Sequence, residues 1–353
     1  MGKPVERARW WVWVRRVLEW SGWAVSALSA VLVAVRLGGW DDGTPLALAV
    51  VLLPYAALGG VLALGVLLAL RSWWAAAVAG VLVAVQLFWL VPRLVPDGGA
   101  APAADAPRLR VATSNAWVGQ ADAAEIVRLV REQRVDVLAM EELGPGAVAG
   151  LDRAGIAEVL PHRELRPGRD TAIYSRLPLT PLDGSASEAA REQIAAEVTV
   201  GGRTVRLTAV HTYYPLGDSG RWSADFDGLR AAVSGATRNA VLLGDFNATL
   251  DHTPMRALLD TGLADTHAEL GRGVAPTWPE PDTYFSALWP VIQIDHVLHG
   301  EALRAVSVTE HRVRGTDHRA VVAELAVTPG RGAAGPPARP PRPPAPPPAP
   351  PPP

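Results

Sequence analysis

Polar residues that can bind a metal ion or move a proton recur at the ends of apolar runs along this 353-residue chain. Short motifs place an Asn, Glu, His or Asp at or just after such a run: Ser114-Asn115, Met140-Glu141-Glu142-Leu143, His211, Gly244-Asp245-Phe246-Asn247, Ile294-Asp295-His296 and Thr316-Asp317-His318. Because the ends of buried strands converge on one edge of an α/β sheet, we expect these side chains to meet. A metal-dependent site that cuts a phosphoryl bond needs this mixture of hard oxygen ligands, a base and a polar group that places a water.

The two glutamates of the second motif follow the apolar run Val137–Met140. A carboxylate just past a buried strand costs free energy unless it is paired or binds a metal. Since neighbouring strand residues point to opposite sides, one glutamate can enter a site while the other stays in solvent. Taken alone, the pair is more typical of surface glutamates than of a site.

Asp245 and Asn247 lie two residues apart at a strand end and therefore face the same way, while Phe246 between them turns into the core. Gly244 allows close approach of the backbone. A carboxylate and an amide side by side can hold a water by two hydrogen bonds. Gly, Asp and Asn are also turn formers, so a simple turn is the alternative.

His318 follows Asp317, and Asp295 lies on a strand just upstream. A histidine beside two aspartates can have its tautomer fixed and its basicity raised, as in a hydrolytic dyad. A helix cap or a surface histidine is the alternative. Asn115 and His211 each follow an apolar strand and, taken singly, are typical of structural positions. The remaining histidines outside the motifs are interpreted as ordinary: His162, His252, His267, His299 and His311.

Short apolar runs and amphipathic segments must position these motifs. Helices are predicted over Ala123–Gln133, capped by Asp122, and over Trp222–Ser234. A Gly201-Gly202 turn between two alternating runs predicts a hairpin. The predicted strands are Leu109–Thr113, Val135–Met140, Thr171–Tyr174, Ile194–Val200, Thr204–Val210, Ala240–Leu243, Val291–His299 and Ala320–Val327. Their alternation predicts an α/β fold of two mixed sheets packed face to face, with helices outside.

Composition divides the chain into an apolar region up to residue 96, a linker at 97–106, a globular domain at 107–328 and a Pro-rich tail at 329–353. The linker is predicted to be a flexible tether. The tail cannot pack a core, and it is predicted to be disordered, with a partner that the sequence does not identify. The absence of cysteine excludes disulfides, zinc–thiolate sites and thiol nucleophiles.

Three stretches of the N-terminal region are long and apolar enough to cross a bilayer: Val17–Val35, Leu46–Leu70 and Trp73–Val91. A cleaved signal peptide is the alternative, and three successive stretches argue against it.

The charges that flank the three stretches predict their orientation. Basic residues precede the first stretch: Lys3, Arg7, Arg9, Arg15 and Arg16. The first loop carries Asp41 and Asp42, and the positive-inside rule then predicts a multi-pass protein of the cell membrane with its globular domain outside. Arg36 and Arg93 fall on the outer side and weaken this pattern without reversing it.

Taken together, Asn115, the VLAMEEL segment, Gly168–Arg176, His211, GDFN, IDH and GTDH resemble the endonuclease/exonuclease/phosphatase superfamily over residues 107–328. Three N-terminal spans followed by this domain resemble the VanJ group of membrane-anchored actinobacterial proteins, which is linked to teicoplanin-type glycopeptide resistance. The resemblance implies a four-layer α/β sandwich and a Mg²⁺-dependent phosphoesterase, with Mn²⁺ as the other candidate cation.

The resemblance also implies roles for individual residues. Glu142 and Asn115 would hold the metal, and Asp317 would lie near it. Asp245 and Asn247 would position the water. His318, oriented by Asp295, would act as general base or proton carrier, and His211 would stabilise charge on the phosphoryl oxygens.

Two departures from the family pattern bear on these roles. Glu141 stands where the family usually has Gln, which leaves open which glutamate binds the metal. Trp117 stands where nuclease members often have Asp or Asn, which argues against a typical DNA nuclease.

Three functions follow as alternatives. A membrane-tethered domain has lipid-linked phosphates within reach, and the VanJ resemblance implies hydrolysis of undecaprenyl pyrophosphate or a related polyprenyl carrier. Aromatic residues that would form an apolar edge toward the lipid, or else core, are Tyr213, Tyr214, Trp222, Phe285 and Trp289. The second function is an extracellular nuclease that holds nucleic acid with Arg163, Arg166 and Arg169. The third is a non-catalytic binding protein, against which the full set of polar site residues argues.

Overall fold

The computed structural model describes residues 3–99, 101–182, 193–281 and 290–328, with side chains from Arg9 onward. Four helices form the N-terminal region: α1 Lys3–Gly38, α2 Ala47–Val50, α3 Leu53–Ala69 and α4 Trp73–Leu94. Helices α1, α3 and α4 pack against one another. Because α1 and α4 both end at the globular domain and α3 starts there, α3 runs opposite to α1 and α4.

Two of these helices, α1 over Arg9–Gly38 and α4, are long and apolar enough to cross a membrane by length and composition. The predicted second span is interrupted, because α2 ends at Val50 and α3 starts at Leu53. Pro54 lies in the first turn of α3, where its missing N–H costs nothing. The resulting α3 has 17 residues and is roughly 26 Å long, shorter than the roughly 30 Å of a bilayer core. The structure thus shows two clear candidate spans where the sequence predicts three.

The globular domain contains twelve described strands and six further α-helices, together with a short 3₁₀ turn at Thr237–Asn239. In chain order they are β1 Arg108–Asn115, α5 Ala123–Glu132, β2 Val137–Glu141, α6 Pro145–Arg153, α7 Ile156–Val159, β3 His162–Leu165, β4 Ala172–Ser175, β5 Thr180–Pro181, β6 Ile194–Val200, β7 Arg203–His211, α8 Ser219–Val233, β8 Ala240–Asp245, α9 Thr253–Leu259, β9 Ala264–Asp265, α10 Thr266–Glu269, β10 Asp295–His299, β11 Leu303–Arg312 and β12 Arg319–Val327.

These strands form two six-stranded sheets with the orders β11-β12-β1-β2-β4-β3 and β5-β6-β7-β8-β10-β9. Each sheet is mixed, because β1–β2 and β7–β8 are parallel and their neighbours pair antiparallel. The sheets pack face to face through an apolar core to which Leu109, Val137, Leu207 and Val241 contribute. Helices α5, α6 and α7 cover the first sheet, and α8 and α9 cover the second. The prediction of two packed mixed sheets in an α/β fold is confirmed.

Local turn and cap chemistry explains several element boundaries. Asp122 caps α5 by accepting hydrogen bonds from the amides of Ala124 and Glu125, as predicted. Gly201 and Gly202 both have positive φ, as a tight hairpin turn between β6 and β7 requires.

Other boundaries differ from the prediction. Strand β10 starts only at Asp295, because the chain before it is bonded to Thr277. The amides of Ile294 and Asp295 both donate to Thr277 Oγ1. Strand β11 was not predicted, since this edge strand is rich in charged residues and its alternation is broken by a bulge between Ala305 and Ser307.

A buried ion cluster, which we call the Asp251 junction, joins the N-terminal helices to the domain. The Asp251 carboxylate accepts hydrogen bonds from Arg36 Nε at 3.1 Å and from Arg93 Nη2 and Nη1 at 2.7 and 3.1 Å. Nearby, the buried Asp41 accepts from the amide and the hydroxyl of Thr253, both at 2.7 Å, at the start of α9. The last turns of α1 and α4 are therefore fixed to the same edge of the domain.

The linker adds one more contact, since the amide of Asp97 donates to the carbonyl of Glu269. The described residues of 97–106 contain a turn but no helix or strand. The connection between helices and domain thus rests on the Asp251 junction as well as on the tether that the sequence predicts. The predicted disordered tail at 329–353 lies outside the described residues.

Candidate active site

The chemistry-bearing residues meet because of strand register. Asn115 at the end of β1 is level with Glu141 at the end of the parallel strand β2. In the other sheet, Asp245 at the end of β8 is level with His211 on β7 and with Asp295 on β10. The two sheets present these ends at the same edge, as the pattern of apolar runs predicts.

Glu142 and Asn115 are held against each other. Asn115 Nδ2 donates to Glu142 Oε1 at 3.0 Å and to Asp245 Oδ2 at 3.1 Å, so the amide links the two sheets. Glu142 Oε2 accepts from the amide of Val118 at 2.7 Å. Glu142 also has a φ of 55°, a left-handed conformation that costs a non-glycine residue roughly 1–2 kcal/mol. Strain of this kind is typical of functional sites.

Glu141 points the opposite way, as expected for its neighbour on a strand, but it does not reach solvent. The structure buries it completely between the sheets, where Oε1 accepts from Thr113 Oγ1 at 2.8 Å. Burial raises the pKa of Glu141 well above its ordinary value, and the hydrogen bond from Thr113 offsets only part of this. The expectation that the glutamate outside the site stays in solvent is wrong, and a completely buried carboxyl is poorly placed to bind a cation that arrives from solvent.

Asp245 and Asn247 face the same side, and Phe246 is fully buried between them, as predicted. Asp245 Oδ1 accepts from the amide of Asn247 at 2.8 Å, and Asn247 Nδ2 donates to the carbonyl of Thr212 at 3.1 Å. Gly244 is required here because a Cβ would lie 1.9 Å from the carbonyl oxygen of Val210. Burial raises the pKa of Asp245, while the nearby His318 acts in the opposite direction.

His318 and Asp295 form a buried pair. His318 Nδ1 lies 2.9 Å from Asp295 Oδ2, and Nε2 lies 3.8 Å from both Asp245 Oδ2 and Asp317 Oδ1. Burial alone lowers the pKa of His318, but the charges of Asp295 and Asp245 outweigh it and raise that pKa to about 10. With Nδ1 held by Asp295, Nε2 is the nitrogen that faces the other site residues.

His211 has a partner that the sequence analysis did not single out. Its Nδ1 lies 2.7 Å from Asp170 Oδ2, and its Nε2 lies 3.8 Å from Glu142 Oε1. Burial lowers the pKa of His211, but the hydrogen bond and charge of Asp170, with Asp245 and Glu142, raise it to about 9. The signal for Asp170 was its place in the segment Gly168–Arg176, just before strand β4.

A cavity of about 750 Å³ contains this edge of the sheets. Six of the predicted site residues line it: Glu142, His211, Asp245, Asn247, Asp317 and His318. The other two, Asn115 and Asp295, are fully buried behind the wall and orient residues that line it. The structure therefore brings together all eight predicted side chains.

The site carries an excess of negative charge. Its carboxylates and central imidazoles belong to Glu142, Asp170, Asp245, Asp295, Asp317, His211 and His318, and Arg221 also lines the cavity. Five carboxylates outnumber the two imidazoles and one guanidinium, so protonated histidines and Arg221 together would not balance the charge. Asp317 Oδ1 is buried without a hydrogen-bond partner among the residues that the structure describes. Hard oxygen donors with an unmatched negative charge are suited to Mg²⁺ or Mn²⁺.

Two positions for a cation compete within the site. One ligand atom each from Asp245, Asp295 and His318 lies within 4.8 Å of the others. A cation there would have to break the His318–Asp295 hydrogen bond, and Asp295 is fully buried. Glu142 and Asp317 face the open cavity, and we favour their side of the site.

The structure also shows where the remaining histidines and the aromatic candidates lie. His267 and His299, interpreted as ordinary, are buried and paired with Glu310 and Glu269, at 2.9 and 3.0 Å. Among the aromatic candidates for an apolar edge, Trp222 belongs to the core under α8. Tyr213 and Tyr214 line the cavity and stack on each other, whereas Phe285 and Trp289 lie outside the described residues.

Comparisons with known proteins agree with this geometry. The model of the endonuclease/exonuclease/phosphatase family matches residues 112–318. The structure of D. rerio TDP2 complexed with single strand DNA product is similar with a TM-score of 0.50 and 16% identity, covering 62% of this chain and 99% of that chain. An endonuclease/exonuclease/phosphatase from Beutenbergia cavernae has a TM-score of 0.48 and 21% identity, covering 63% of this chain and 72% of that one. No curated protein matches the chain at a significant level. Since the family match spans more than half of the sequence and ends at the paired His318, the chain belongs to the endonuclease/exonuclease/phosphatase family.

Proposed function

We propose that this protein is a divalent-cation-dependent phosphoesterase that acts on a lipid-linked phosphate at a membrane surface. The family to which it belongs comprises hydrolases of phosphate esters, which supports the reaction class. The observation that carries the substrate class is the Asp251 junction. It binds the domain to α1 through Arg36 and to α4 through Arg93, the two helices long enough to span a bilayer.

We assign the cation, Mg²⁺ or Mn²⁺, to Glu142, Asn115 and Asp317. The cation would polarise a phosphoryl oxygen and neutralise the charge that develops on it. Glu142 supports the assignment because it faces the cavity from a strained backbone position. Asp317 supports it because its Oδ1 has no hydrogen-bond partner among the described residues.

Asp245 and Asn247 would hold the attacking water, since their side chains lie together at the cavity wall and are fixed by the hydrogen bonds around them. As water attacks phosphorus, the bond to the leaving oxygen breaks. The proton of the water would pass to the Asp245–His318 pair, which returns a proton to the departing phosphate. Positioned proton transfer of this kind contributes roughly 10²- to 10⁴-fold to a rate.

His211 would stabilise charge on the phosphoryl oxygens. Its pKa of about 9 keeps the imidazole protonated at neutral pH, and Asp170 fixes the ring. Arg221 also lines the cavity, where its guanidinium lies 4.3 Å from the centre of the Tyr213 ring. Both cations suit a phosphorylated substrate.

We further propose a multi-pass arrangement with the domain on the outer face of the cytoplasmic membrane. The basic residues at 3–16 lie at the end of α1 remote from the domain, as the positive-inside rule requires of a cytoplasmic end. Undecaprenyl pyrophosphate or a related polyprenyl carrier is the substrate that the VanJ resemblance suggests, and it would connect the activity to glycopeptide resistance.

A nuclease is the weaker proposal. Two of the arginines on which it depends are already paired with acids, Arg163 with Asp152 at 2.9 Å and Arg166 with Glu164 at 2.8 Å. Neither arginine lines the cavity. A nucleic-acid backbone would have to displace these partners before it gained the charge interaction.

The test is phosphate release from undecaprenyl pyrophosphate by the full-length protein in detergent, with Mg²⁺ and with EDTA, beside a plasmid-nicking assay. Glu142→Gln should lower the Mg²⁺-dependent rate by at least about 10²-fold while the melting temperature stays near that of the wild type. His318→Asn should lower the rate as strongly, but it should also lower the melting temperature, because Asp295 then stays buried without its partner. Matched controls are Glu158→Gln and His162→Asn, because both side chains are exposed and neither lines the cavity.

Each outcome decides between the functions. EDTA-sensitive phosphate release without nicking supports the lipid phosphoesterase. Nicking without phosphate release would support the nuclease instead. No activity in either assay would favour a non-catalytic binding protein. Full activity in both site variants would show that the site is wrongly placed.

A further inference from the structure

Helix α2 belongs to the N-terminal region in sequence but packs into the globular domain. The side chain of Ala47 is fully buried in the core under α8, with Trp222 and Phe226. Its carbonyl lies 3.0 Å from Nε2 of the buried His252. At the other end of α2, Val50 is fully buried among residues of α1 and α3. The helix is thus held rigidly between the two parts of the protein.

Two side chains of α2 and the turn that follows it face the active-site cavity. Leu48 and Val51 line the same cavity of about 750 Å³ as Glu142 and His318. Leu48 is 42% exposed, so its side chain is accessible to a molecule that occupies the cavity. The cavity therefore has carboxylates and imidazoles in one wall and aliphatic side chains in another.

The apolar wall continues away from the site along α3. Tyr55, Leu58 and Leu62 follow Val51 at spacings of three and four residues, which places them on one face of a helix. They are 45%, 62% and 64% exposed. Val51 is thus the point at which an apolar helix face of the N-terminal region meets the polar site.

We propose that Leu48 and Val51 form the wall that contacts the hydrocarbon chain of a membrane-borne phosphate ester, next to its phosphate. The chain would lie along the Tyr55–Leu62 face of α3, and the phosphate would reach the residues around Glu142. This assignment rests on the proposed phosphoesterase function and deepens it, because it makes part of the N-terminal region a determinant of substrate specificity. A water-soluble phosphate ester would leave Leu48 exposed, whereas a hydrocarbon chain would remove it from water.

The test compares two Mg²⁺-dependent substrates with the same pyrophosphate group, undecaprenyl pyrophosphate and the short-chain isopentenyl pyrophosphate, using the full-length protein in detergent. Leu48→Ser and Val51→Ser should each lower the ratio of kcat/KM for the long chain to that for the short chain by about five- to tenfold. Leu52→Ser is the matched control, since Leu52 is 45% exposed on the same segment but does not line the cavity, and its ratio should not change.

Activity on the short chain also reports whether each variant is folded. Equal losses of kcat/KM on both substrates, or an unchanged ratio in both variants, would overturn the role of Leu48 and Val51. Neither result would contradict the proposed phosphoesterase function. A wild-type protein that hydrolyses neither substrate would overturn the proposed function, and this inference with it.

Discussion

Replacing Asp251 by asparagine tests whether the Asp251 junction holds the helices to the domain. Asp251 is 2% exposed, and its two partners, Arg36 and Arg93, have side chains that are 9% and 13% exposed. Asparagine keeps the size of the side chain but removes the negative charge and one acceptor oxygen. Both guanidinium groups would then be buried with less charge opposite them.

Removal of one partner from a buried ion pair costs about 3–5 kcal/mol, mostly because the other charge stays buried and uncompensated. Two arginines depend on Asp251, but Arg93 retains the carbonyl of Leu250 as an acceptor, at 3.3 Å. We therefore expect a loss of about 3 kcal/mol. In a domain of the size of residues 107–328, 1 kcal/mol shifts the melting temperature by about 2–4 °C, so Asp251→Asn should lower it by roughly 6–12 °C.

The assay is thermal unfolding of the full-length protein in detergent at several pH values, with Asp260→Asn as control. Asp260 is exposed at the far end of α9, so its substitution removes the same charge without opening a buried pair. Burial alone raises the pKa of Asp251, but Arg93 and Arg36 outweigh it and hold that pKa below its ordinary value. The stabilisation is therefore present above about pH 3.9 and is lost as the pH falls through the lower pKa of the folded state.

The melting temperatures of the wild type and of Asp251→Asn should differ at pH 7 and become equal at strongly acidic pH. Hydrogen exchange should also increase at the start of α9 and in the last turn of α4 in the variant. A melting temperature within about 1 °C of the wild type at pH 7 would refute the reasoning, because a buried pair of this geometry cannot be lost at so small a cost.

Three further predictions concern the site. Gly244→Ala should destabilise the protein by on the order of 3 kcal/mol in urea unfolding, because its Cβ would overlap the carbonyl oxygen of the neighbouring strand at 1.9 Å; a neutral result would contradict the register. Mg²⁺ at about 100 times its Kd should stabilise the wild type and Glu158→Gln by about 2.7 kcal/mol in thermal unfolding, and an equal shift in Glu142→Gln would remove Glu142 from the ligand set. Asp170→Asn should lower the pKa of His211 from about 9 and move the alkaline limb of the kcat/KM profile to lower pH, and an unchanged limb would exclude His211 as its source.

The convergence of the site could be predicted from sequence because it depends on strand periodicity and direction. Asp245 and Asn247 line one cavity and Phe246 between them is in the core, as strand alternation predicts, although β8 ends at Asp245 and Asn247 has a φ of 46°. Gly244 could be interpreted as a point of close approach because no other residue tolerates a carbonyl at that distance. These inferences use only properties of the local chain.

What could not be predicted depends on distant packing. One of the two glutamates was expected in solvent because a strand pattern gives two faces but does not show that both are covered; here the second sheet covers Glu141. Asp170 precedes a short strand in a segment without regular structure, so no periodicity marks it as the partner of His211. His267 and His299 have acidic partners that are remote or unremarkable in sequence.

The division of the apolar stretch Leu46–Leu70 into α2 and α3 could not be predicted from sequence either. Leu46–Leu70 contains no charge, and a hydropathy pattern cannot separate a helix that meets lipid from one that meets the core of a neighbouring domain. Pro54 gave a local signal, because proline favours the first turn of a helix over its interior. Only the tertiary contacts of Ala47 show that the first part of this stretch packs into the globular domain.

Tertiary contacts also explain why Arg36 and Arg93 lie on the predicted outer side of the membrane. The positive-inside rule counts basic side chains that are free to interact with lipid headgroups and the cytoplasm. Arg36 and Arg93 are instead bonded to Asp251, and the first also stacks on Trp89 at 4.1 Å. Asp251 holds both guanidinium groups inside the protein, where they are not free to interact with headgroups, so neither opposes placement of the domain outside. The basic residues at 3–16 then favour the proposed orientation, for which a membrane-impermeant cysteine reagent should label Ser223→Cys but not Ser72→Cys in intact cells.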